Sequence, residues 1–198
     1  MATTASPVQI HPRVPREPEW EFDTVAMRQV TCGQSHLAAI GADGTLFTWG
    51  EGEDGALGHE NGFVGSGLPF QVEALLGQRV AKVSCGSSHT AAVTSTGELW
   101  TWGLLADGTM TDVPRRLLVF DSSDYPPEQL SRRAGTTGSR VVDVACGYGY
   151  TVIRLASGEL QTLGGTAATH LKLRGNAFEA TELPEGQLRQ PQVVDDRT

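Results

Sequence analysis

Apolar and polar residues alternate with a period of two in short stretches along the middle of the chain. In one such stretch, alternate positions are occupied by Val83, Cys85, His89, Ala91 and Val93. After a turn at Gly97, Leu99 and Thr101 alternate with Trp100 and Trp102. A period of two is that of β-strands, and glycine accepts the positive φ of a tight turn between them. The pattern therefore predicts a β-hairpin.

The hairpin pattern occurs three times in the chain. The copies begin at Val30, Val83 and Val144, each two residues before a cysteine, and successive cysteines are 53 and 61 residues apart. The glycine after each cysteine and the glycine of each hairpin turn keep the same register in every copy. Agreement at several positions predicts one supersecondary unit that is repeated.

Each repeat has the length of one β-propeller blade, with about four short strands. We therefore expect an all-β fold, a partial β-propeller of about three four-stranded blades within residues 25–173. The units lie near residues 30–72, 83–119 and 144–165, and the second is lengthened by an insertion at residues 121–140.

Three segments lie outside the repeat pattern. The leader, residues 1–24, is rich in proline, and the tail, residues 174–198, is rich in Gln, Glu and Asp. Neither has sustained periodicity, so we expect both to be irregular. Within the insertion, the segment from Ser123 to Gly135 has prolines first and arginines late, which predicts one or two turns of helix.

Composition narrows the class of partner. The net charge is −8 and the pI is near 5.1, which argues against a chain that coats a phosphate backbone and favours protein partners.

No run of 18 apolar residues is present, so no membrane span is expected. The leader resembles neither a secretory signal nor a transit helix. We expect an intracellular protein of the cytoplasm or nucleus, with an organelle still open.

The three cysteines, Cys32, Cys85 and Cys146, occupy the same position in their units. A site with three thiolates is one interpretation, but metal-binding cysteines usually come in close pairs. We favour small buried apolar side chains, and we expect no metal.

The segment from Gly50 to Gly55 matches the G-x-G-x-x-G pattern of dinucleotide-binding loops and follows a predicted strand. The phosphate site of that motif needs a helix N-terminus, and the sequence after Gly55 is rich in turns. Glu51, Glu53 and Asp54 would also repel a pyrophosphate. We therefore expect no nucleotide and no other cofactor.

Histidines and tryptophans recur at equivalent positions of the first two units, and this decides how we interpret them as candidate catalytic residues. His36 and His89 could be a pair of acid–base groups, but residues that recur in every unit are more simply explained as scaffolding. Trp49 and Trp102 are explained in the same way as packing residues. No serine, cysteine or threonine lies in a nucleophile motif. We expect no catalytic residue, and the chain is not expected to be an enzyme.

One local cluster is basic, in and around the insertion: Arg115, Arg116, Arg132, Arg133 and Arg140. A solvated loop surface is one interpretation, and an anchor on an acidic protein or on RNA is the other. These arginines are the candidate partner-binding residues. Nucleic acid is expected only through them.

The repeated residues resemble the regulator-of-chromosome-condensation repeat family. The motif is Cys-Gly-x-x-His, a hairpin glycine, Thr-Trp-Gly, and then a glycine-rich segment. It is carried by Cys32, Gly33, His36, Gly44, Trp49, Gly50, Cys85, Gly86, His89, Gly97, Trp102, Gly103, Cys146, Gly147, Gly158 and Gly164. The third unit departs from the motif, with Tyr150 and Leu163 in place of histidine and tryptophan.

The resemblance implies blades of a seven-bladed propeller. Seven blades of about 53 residues need roughly 370 residues, so three units are a partial array. Our first hypothesis is a non-catalytic protein–protein interaction or scaffold module within a larger complex. The resemblance also implies an alternative, a guanine-nucleotide exchange factor for a small GTPase. A chromatin-associated or RNA-associated subunit is a weaker alternative.

Overall fold

A computed structural model describes residues 26–60, 65–105, 108–117, 119 and 139–164, and the backbone of 169–174 and 177–182. The predicted leader, residues 1–24, most of the insertion at 121–140, and the segment from Ser123 to Gly135 lie outside the described residues. Within the described part, the only helix is a short 3-10 turn, Glu73–Leu75. No helix there is long and apolar enough to cross a membrane.

Three antiparallel sheets follow one another along the chain, and we call them blades 1 to 3. Blade 1 consists of β1 (Met27–Cys32), β2 (His36–Gly41), β3 (Leu46–Glu51) and β4 (Gly65–Gln71). Blade 2 consists of β5 (Val80–Cys85), β6 (His89–Thr94), β7 (Leu99–Leu104) and β8 (Met110–Leu117). Blade 3 consists of β9 (Val141–Cys146), β10 (Tyr150–Leu155), β11 (Leu160–Gly164), β12 (Thr169–Arg174) and β13 (Ala177–Glu182).

Strands that are adjacent in sequence pair in every blade, so each sheet is a simple meander. The predicted fold class, an all-β partial propeller of three blades, is confirmed.

The third blade differs from the prediction in its number of strands. The sequence predicts four strands and an irregular tail from residue 174, whereas β12 and β13 make five strands and extend the sheet to Glu182. The pairing of β13 with β12 runs from Thr169↔Glu182 to Arg174↔Ala177. Backbone groups of two neighbouring strands make this pairing, so a segment without a repeat motif can join a sheet edge.

The hydrophobic core lies between blades. One cluster joins Ala38, Ile40 and Leu46 of blade 1 to Val83 and Trp102 of blade 2, among other buried residues. A second cluster joins blade 2 to blade 3 and includes Val93, Leu99, Val141, Ile153 and Leu155. Neighbouring blades therefore stabilise each other, as in other repeat arrays.

In blades 1 and 2, the turn between the second and third strands also contacts the next blade. Val80 N donates to Gly44 O at 3.0 Å, and Val141 N donates to Gly97 O at 2.9 Å. Gly97 has a φ of +91°, and a Cβ added there would overlap the Arg140 side chain. The turn glycines therefore serve both the hairpin and the junction between blades.

Candidate functional site

The recurring histidines lie at the junctions between blades. His36 Nε2 is 2.8 Å from Thr90 Oγ1, and His89 Nε2 is 2.9 Å from Thr151 Oγ1. Each histidine begins the second strand of one blade, and its threonine is in the second strand of the next blade. Both rings are buried, so this is a hydrogen bond within the core.

The glycine after each cysteine allows the histidine ring and the next blade to approach the backbone. A Cβ added to Gly33 would be 2.6 Å from His36 Cε1, and one added to Gly86 would be 2.6 Å from Gly147 O. Gln34 N donates to Gly86 O at 3.2 Å. A larger residue at either glycine would separate the blades at this point.

The glycine-rich segment after Trp49 contacts blade 2. Ala56 O accepts hydrogen bonds from Trp102 Nε1 at 2.8 Å and from Thr90 Oγ1 at 2.7 Å. A Cβ added to Gly58 would be 2.8 Å from Trp102 Nε1. This loop covers the indole of the next blade, and its described residues, up to Glu60, form turns and no helix.

Thr48 and Thr101 occupy equivalent positions in blades 1 and 2 but have different surroundings. Thr48 Oγ1 donates to Leu57 O at 2.6 Å and is 3.0 Å from His59 Nε2. Thr101 Oγ1 is buried without a hydrogen-bond partner in the described part of the chain. Blade 2 has a shorter connection after its third strand, and so lacks the loop groups that bind Thr48.

We expect the two Thr→Val substitutions to have different effects on stability. Thr48→Val should lower the free energy of unfolding by about 1–3 kcal/mol, because Leu57 O loses its buried donor. Thr101→Val should leave stability unchanged or raise it by about 1 kcal/mol, because it removes an unpaired hydroxyl. Urea unfolding of the two variants measures the difference, and equal losses would contradict the contrast.

Burial lowers the pKa of the junction histidines. The pKa of His36 falls to about 4, mainly because burial penalises the charged ring and also because His89 lies nearby. Burial likewise lowers the pKa values of His89 and His59. These rings are therefore neutral near pH 7, as an uncharged core requires.

The cysteines are free thiols in three different environments. Cys85 is buried, and burial raises its pKa to about 12. Burial also raises the pKa of Cys146 to about 11, and its Sγ donates to Ser84 O at 3.3 Å. Cys32 is exposed. In the described ranges, no three His, Cys, Asp or Glu side chains lie together as metal ligands.

The described arginines of the basic cluster lie at the end of blade 2 that carries the Gly97 turn. Arg116 Nη1 is 2.7 Å from Glu98 Oε1, and Arg140 Nη2 donates to Ser95 O at 3.4 Å. Arg115 is exposed. Arg132 and Arg133, the other two predicted partner-binding residues, lie outside the described residues. Arg116 and Arg140 of the cluster thus make contacts within the fold.

Three large apolar side chains are exposed at the end of the blades opposite the Gly97 turn. They are Leu104, Met110 and Tyr148, with exposed fractions of 40%, 61% and 81%, and we call them the turn face. Leu104 pairs with Met110 across β7 and β8. Leu104 N donates to Ser88 O, and Ser87 N donates to Gly147 O, next to Tyr148. Because those bonds connect neighbouring turns, the three residues lie on one end of blades 2 and 3.

The sequence pattern did not single out the turn face, because its members occupy different repeat positions. One signal was present: the glycine-rich loop of the first unit is replaced in the second by Gly103, Leu104 and Leu105. The second unit therefore has the apolar Leu104 at the position where the first unit has Glu51.

Two family models match the chain, and both are described as the regulator of chromosome condensation (RCC1) repeat. One matches residues 43–93, and the other matches residues 27–56 and 80–108. These ranges contain both junction histidines and the glycine-rich loop. The chain belongs to the RCC1 repeat family. Its third blade, with Tyr150 and Leu163 at two family positions, is the most divergent of the three.

Among curated RCC1-repeat relatives, the E3 ubiquitin-protein ligase HERC2 of Homo sapiens is 41% identical over 118 residues. That match covers 60% of this chain and 2% of the relative. The ultraviolet-B receptor UVR8 of Arabidopsis thaliana is 33% identical over 142 residues, covering 71% of this chain and 30% of the relative. The chain thus spans less than a third of either protein.

Solved structures show the same fold at lower identity. Human WBSCR16 superposes with a TM-score of 0.58 and 24% identity, over 80% of this chain and 38% of that one. Prp20p of Saccharomyces cerevisiae gives 0.55 and 17%, over 70% of this chain and 32% of that one. Both matches support an RCC1-type array of blades.

Proposed function

We propose that this chain is a non-catalytic protein-interaction module, within a larger assembly inside the cell, whose partner binds the turn face. The supporting observation is the exposure of Leu104, Met110 and Tyr148 on one end of the blades. Leu104 and Met110 are adjacent across β7 and β8, and exposed apolar patches commonly mark docking sites. Methionine and aromatic residues are enriched in the buried centre of protein interfaces.

Acidic residues on the same end of the blades favour a partner whose binding surface is bordered by basic residues. The exposed Glu51 ends β3, and the exposed Glu53 lies in the blade 1 loop that follows. A Cβ added to Gly55 in this loop would be 2.8 Å from Thr111 O, next to Met110. The loop that contains Glu53 therefore lies beside β8 next to Met110. We infer a partner whose apolar side chains are flanked by lysine or arginine.

Proteins of similar fold have protein partners. The structure of Prp20p was described together with its binding properties to Gsp1p and histones, and yeast RCC1 (Prp20) was also solved bound to Kap60. These facts support the class of partner and not its identity. The exchange-factor and chromatin or RNA alternatives stay hypotheses, because no described residue favours them.

The test is affinity purification of the tagged full chain from its own cells, with quantitative mass spectrometry of the proteins that co-purify. The variant Leu104→Ser/Met110→Ser/Tyr148→Ser should reduce recovery of the specific partners at least about tenfold, because hot-spot residues contribute most of the binding energy. Circular dichroism and thermal unfolding check that the variant is folded.

Two control variants distinguish a specific role of the turn face from a general effect of substituting exposed residues. Leu76→Ser changes a side chain that is 60% exposed beyond the 3-10 turn, at the other end of blade 1, and should leave recovery unchanged. Arg115→Ala/Arg140→Ala tests the basic cluster. If the arginine variant loses the partners and the turn-face variant keeps them, the proposed binding surface is wrong.

A further inference from the structure

The connection after the third strand of blade 1 lies in the junction between blades 1 and 2. It spans residues 52–64, and its residues Ala56 and Leu57 are buried. We call residues 55–58 (Gly-Ala-Leu-Gly) the plug of blade 1. The carbonyls of Ala56 and Leu57 accept hydrogen bonds of 2.6 to 2.8 Å from buried side chains, namely Thr48, Thr90 and Trp102. The plug belongs to blade 1, and side chains of both blades hold it.

In the described part of the chain, the junction between blades 2 and 3 has no equivalent of the plug. The connection after β7 spans only residues 105–109. It turns back on itself, since Leu105 N donates to Thr109 O at 2.8 Å and Gly108 N donates to Leu105 O at 3.0 Å. Both hydrogen bonds lie within blade 2. Blade 2 thus has a tight turn where blade 1 has a loop that reaches its neighbour.

Blade 3 keeps the backbone on which a plug would lie. Gly164 occupies the position of Gly103, and the two glycines have φ values of +91° and +92°. A Cβ added to Gly103 would be 3.2 Å from Ala56 Cα, so glycine at this position allows the plug to approach closely. Leu163 occupies the position of Trp102 and is partly exposed, whereas Trp102 is fully buried. The third blade is therefore less well covered at this point than the second.

Blade 2 has a buried donor without an acceptor at the same junction. Thr101 is the equivalent of Thr48, and each lies two residues after a leucine that packs into the junction with the next blade, Leu99 or Leu46. Alternate residues of a strand face the same side, so the Thr101 side chain faces blade 3. Thr48 Oγ1 donates to the plug, whereas Thr101 Oγ1 has no hydrogen-bond partner within the described ranges. An acceptor would recover the free energy that this unpaired hydroxyl costs.

The turn face borders this junction from both blades. Leu104 and Met110 flank the tight turn of blade 2, and Tyr148 lies in the turn between the first two strands of blade 3. The plug of blade 1 is at the same end of the blades, because a Cβ added to Gly55 would be 2.8 Å from Thr111 O, next to Met110. A segment bound at the turn face is thus close to the junction between blades 2 and 3.

We propose, on the basis of the proposed function, that the protein partner of the turn face inserts a loop of the plug type between blades 2 and 3, with a main-chain carbonyl that accepts from Thr101 Oγ1. The plug defines the chemistry of that loop: a small residue and a leucine-sized side chain between two glycines. Gly55 and Gly58 both have a φ of +75°, which favours glycine. Thr101 is 2% exposed, so the loop displaces neighbouring side chains as it binds.

The first test is partner recovery by Thr101→Val, in the purification used for the turn face. We expect recovery to fall about fivefold, because the inserted carbonyl loses its donor, while the urea midpoint is unchanged or higher. Thr48→Val is the matched control. The Thr48 hydroxyl already donates to the plug, so this variant should lose stability but keep its recovery per folded molecule. Full recovery by Thr101→Val would overturn the inserted loop and leave the turn face as a binding site.

The second test supplies a plug from the chain itself and needs no partner. In the grafted chain, a copy of residues 52–64 replaces residues 105–109. The graft should raise the urea midpoint and reverse the sign of Thr101→Val. That substitution is neutral or stabilising in the original chain, but it should lower the midpoint of the grafted chain, because the copied carbonyl then loses its donor.

The control graft carries Leu57→Asp in the copied loop, because a carboxylate is costly to bury in the junction. Thr101→Val should not destabilise this control. The proposal is wrong if Thr101→Val has the same effect with and without the graft. It is also wrong if the graft lowers the midpoint, as expected where another segment of the chain already fills the junction. If the grafted chain does not fold, the recovery by Thr101→Val decides. A turn face that recovers no partner would refute the proposed function, whereas the grafted chain would still show whether the junction accepts a plug.

Discussion

We expect Trp102→Ala to lower the free energy of unfolding by about 3–5 kcal/mol. The side chain is fully buried and belongs to the cluster that joins blades 1 and 2. Its Nε1 also donates to Ala56 O at 2.8 Å. Removing the indole opens a cavity under the glycine-rich loop and takes one of two donors from that carbonyl. Guanidinium unfolding followed by circular dichroism measures the loss.

Trp49→Ala is the matched control in blade 1. Trp49 has the same strand position but is partly exposed. We expect a loss clearly smaller than that of Trp102→Ala. Equal losses would contradict burial between blades as the origin of the effect.

The second large effect is a loss of stability on mild acidification. Unfolded histidine binds a proton near pH 6.5, whereas His36 in the folded chain does so only near pH 4. The unfolded state therefore binds more protons between these values, and stability falls as the pH decreases through this window. His36 should account for about 2–3 kcal/mol of the loss by pH 4. His89 should add to it, since its pKa is also lowered.

Urea midpoints measured from pH 7.5 to pH 4.5 test this expectation. The matched variant is His36→Gln, whose amide can reach a buried hydroxyl without titrating. It should be less stable than wild type at pH 7.5 but should lose less stability on acidification. A wild-type slope that the substitution leaves unchanged would show that other groups cause the acid effect.

Local signals explain why the repeats could be predicted. A period of two and a turn glycine are properties of about ten neighbouring residues, so the hairpins around Gly44, Gly97 and Gly158 follow from the chain itself. Their recurrence in register predicts the blades and the fold class. The fifth strand of blade 3 was not predicted, because β13 has no repeat motif and is held by pairing with β12.

The candidate sites depended more on distant contacts. The sequence pattern marked His36 and His89 as recurring residues, but the threonines that bind them are 54 and 62 residues away. The turn face combines Leu104, Met110 and Tyr148 from two blades, so no local pattern contains it.

The sequence by itself determined the number of blades, their hairpins and the residues that recur in each. Only the tertiary structure decided which sheet faces are covered. Val30 and Val83 are the same residue in the same repeat position, yet one is exposed and the other buried. Burial is set by the surface that packs against a side chain, and in a repeat array that surface belongs to the neighbouring blade.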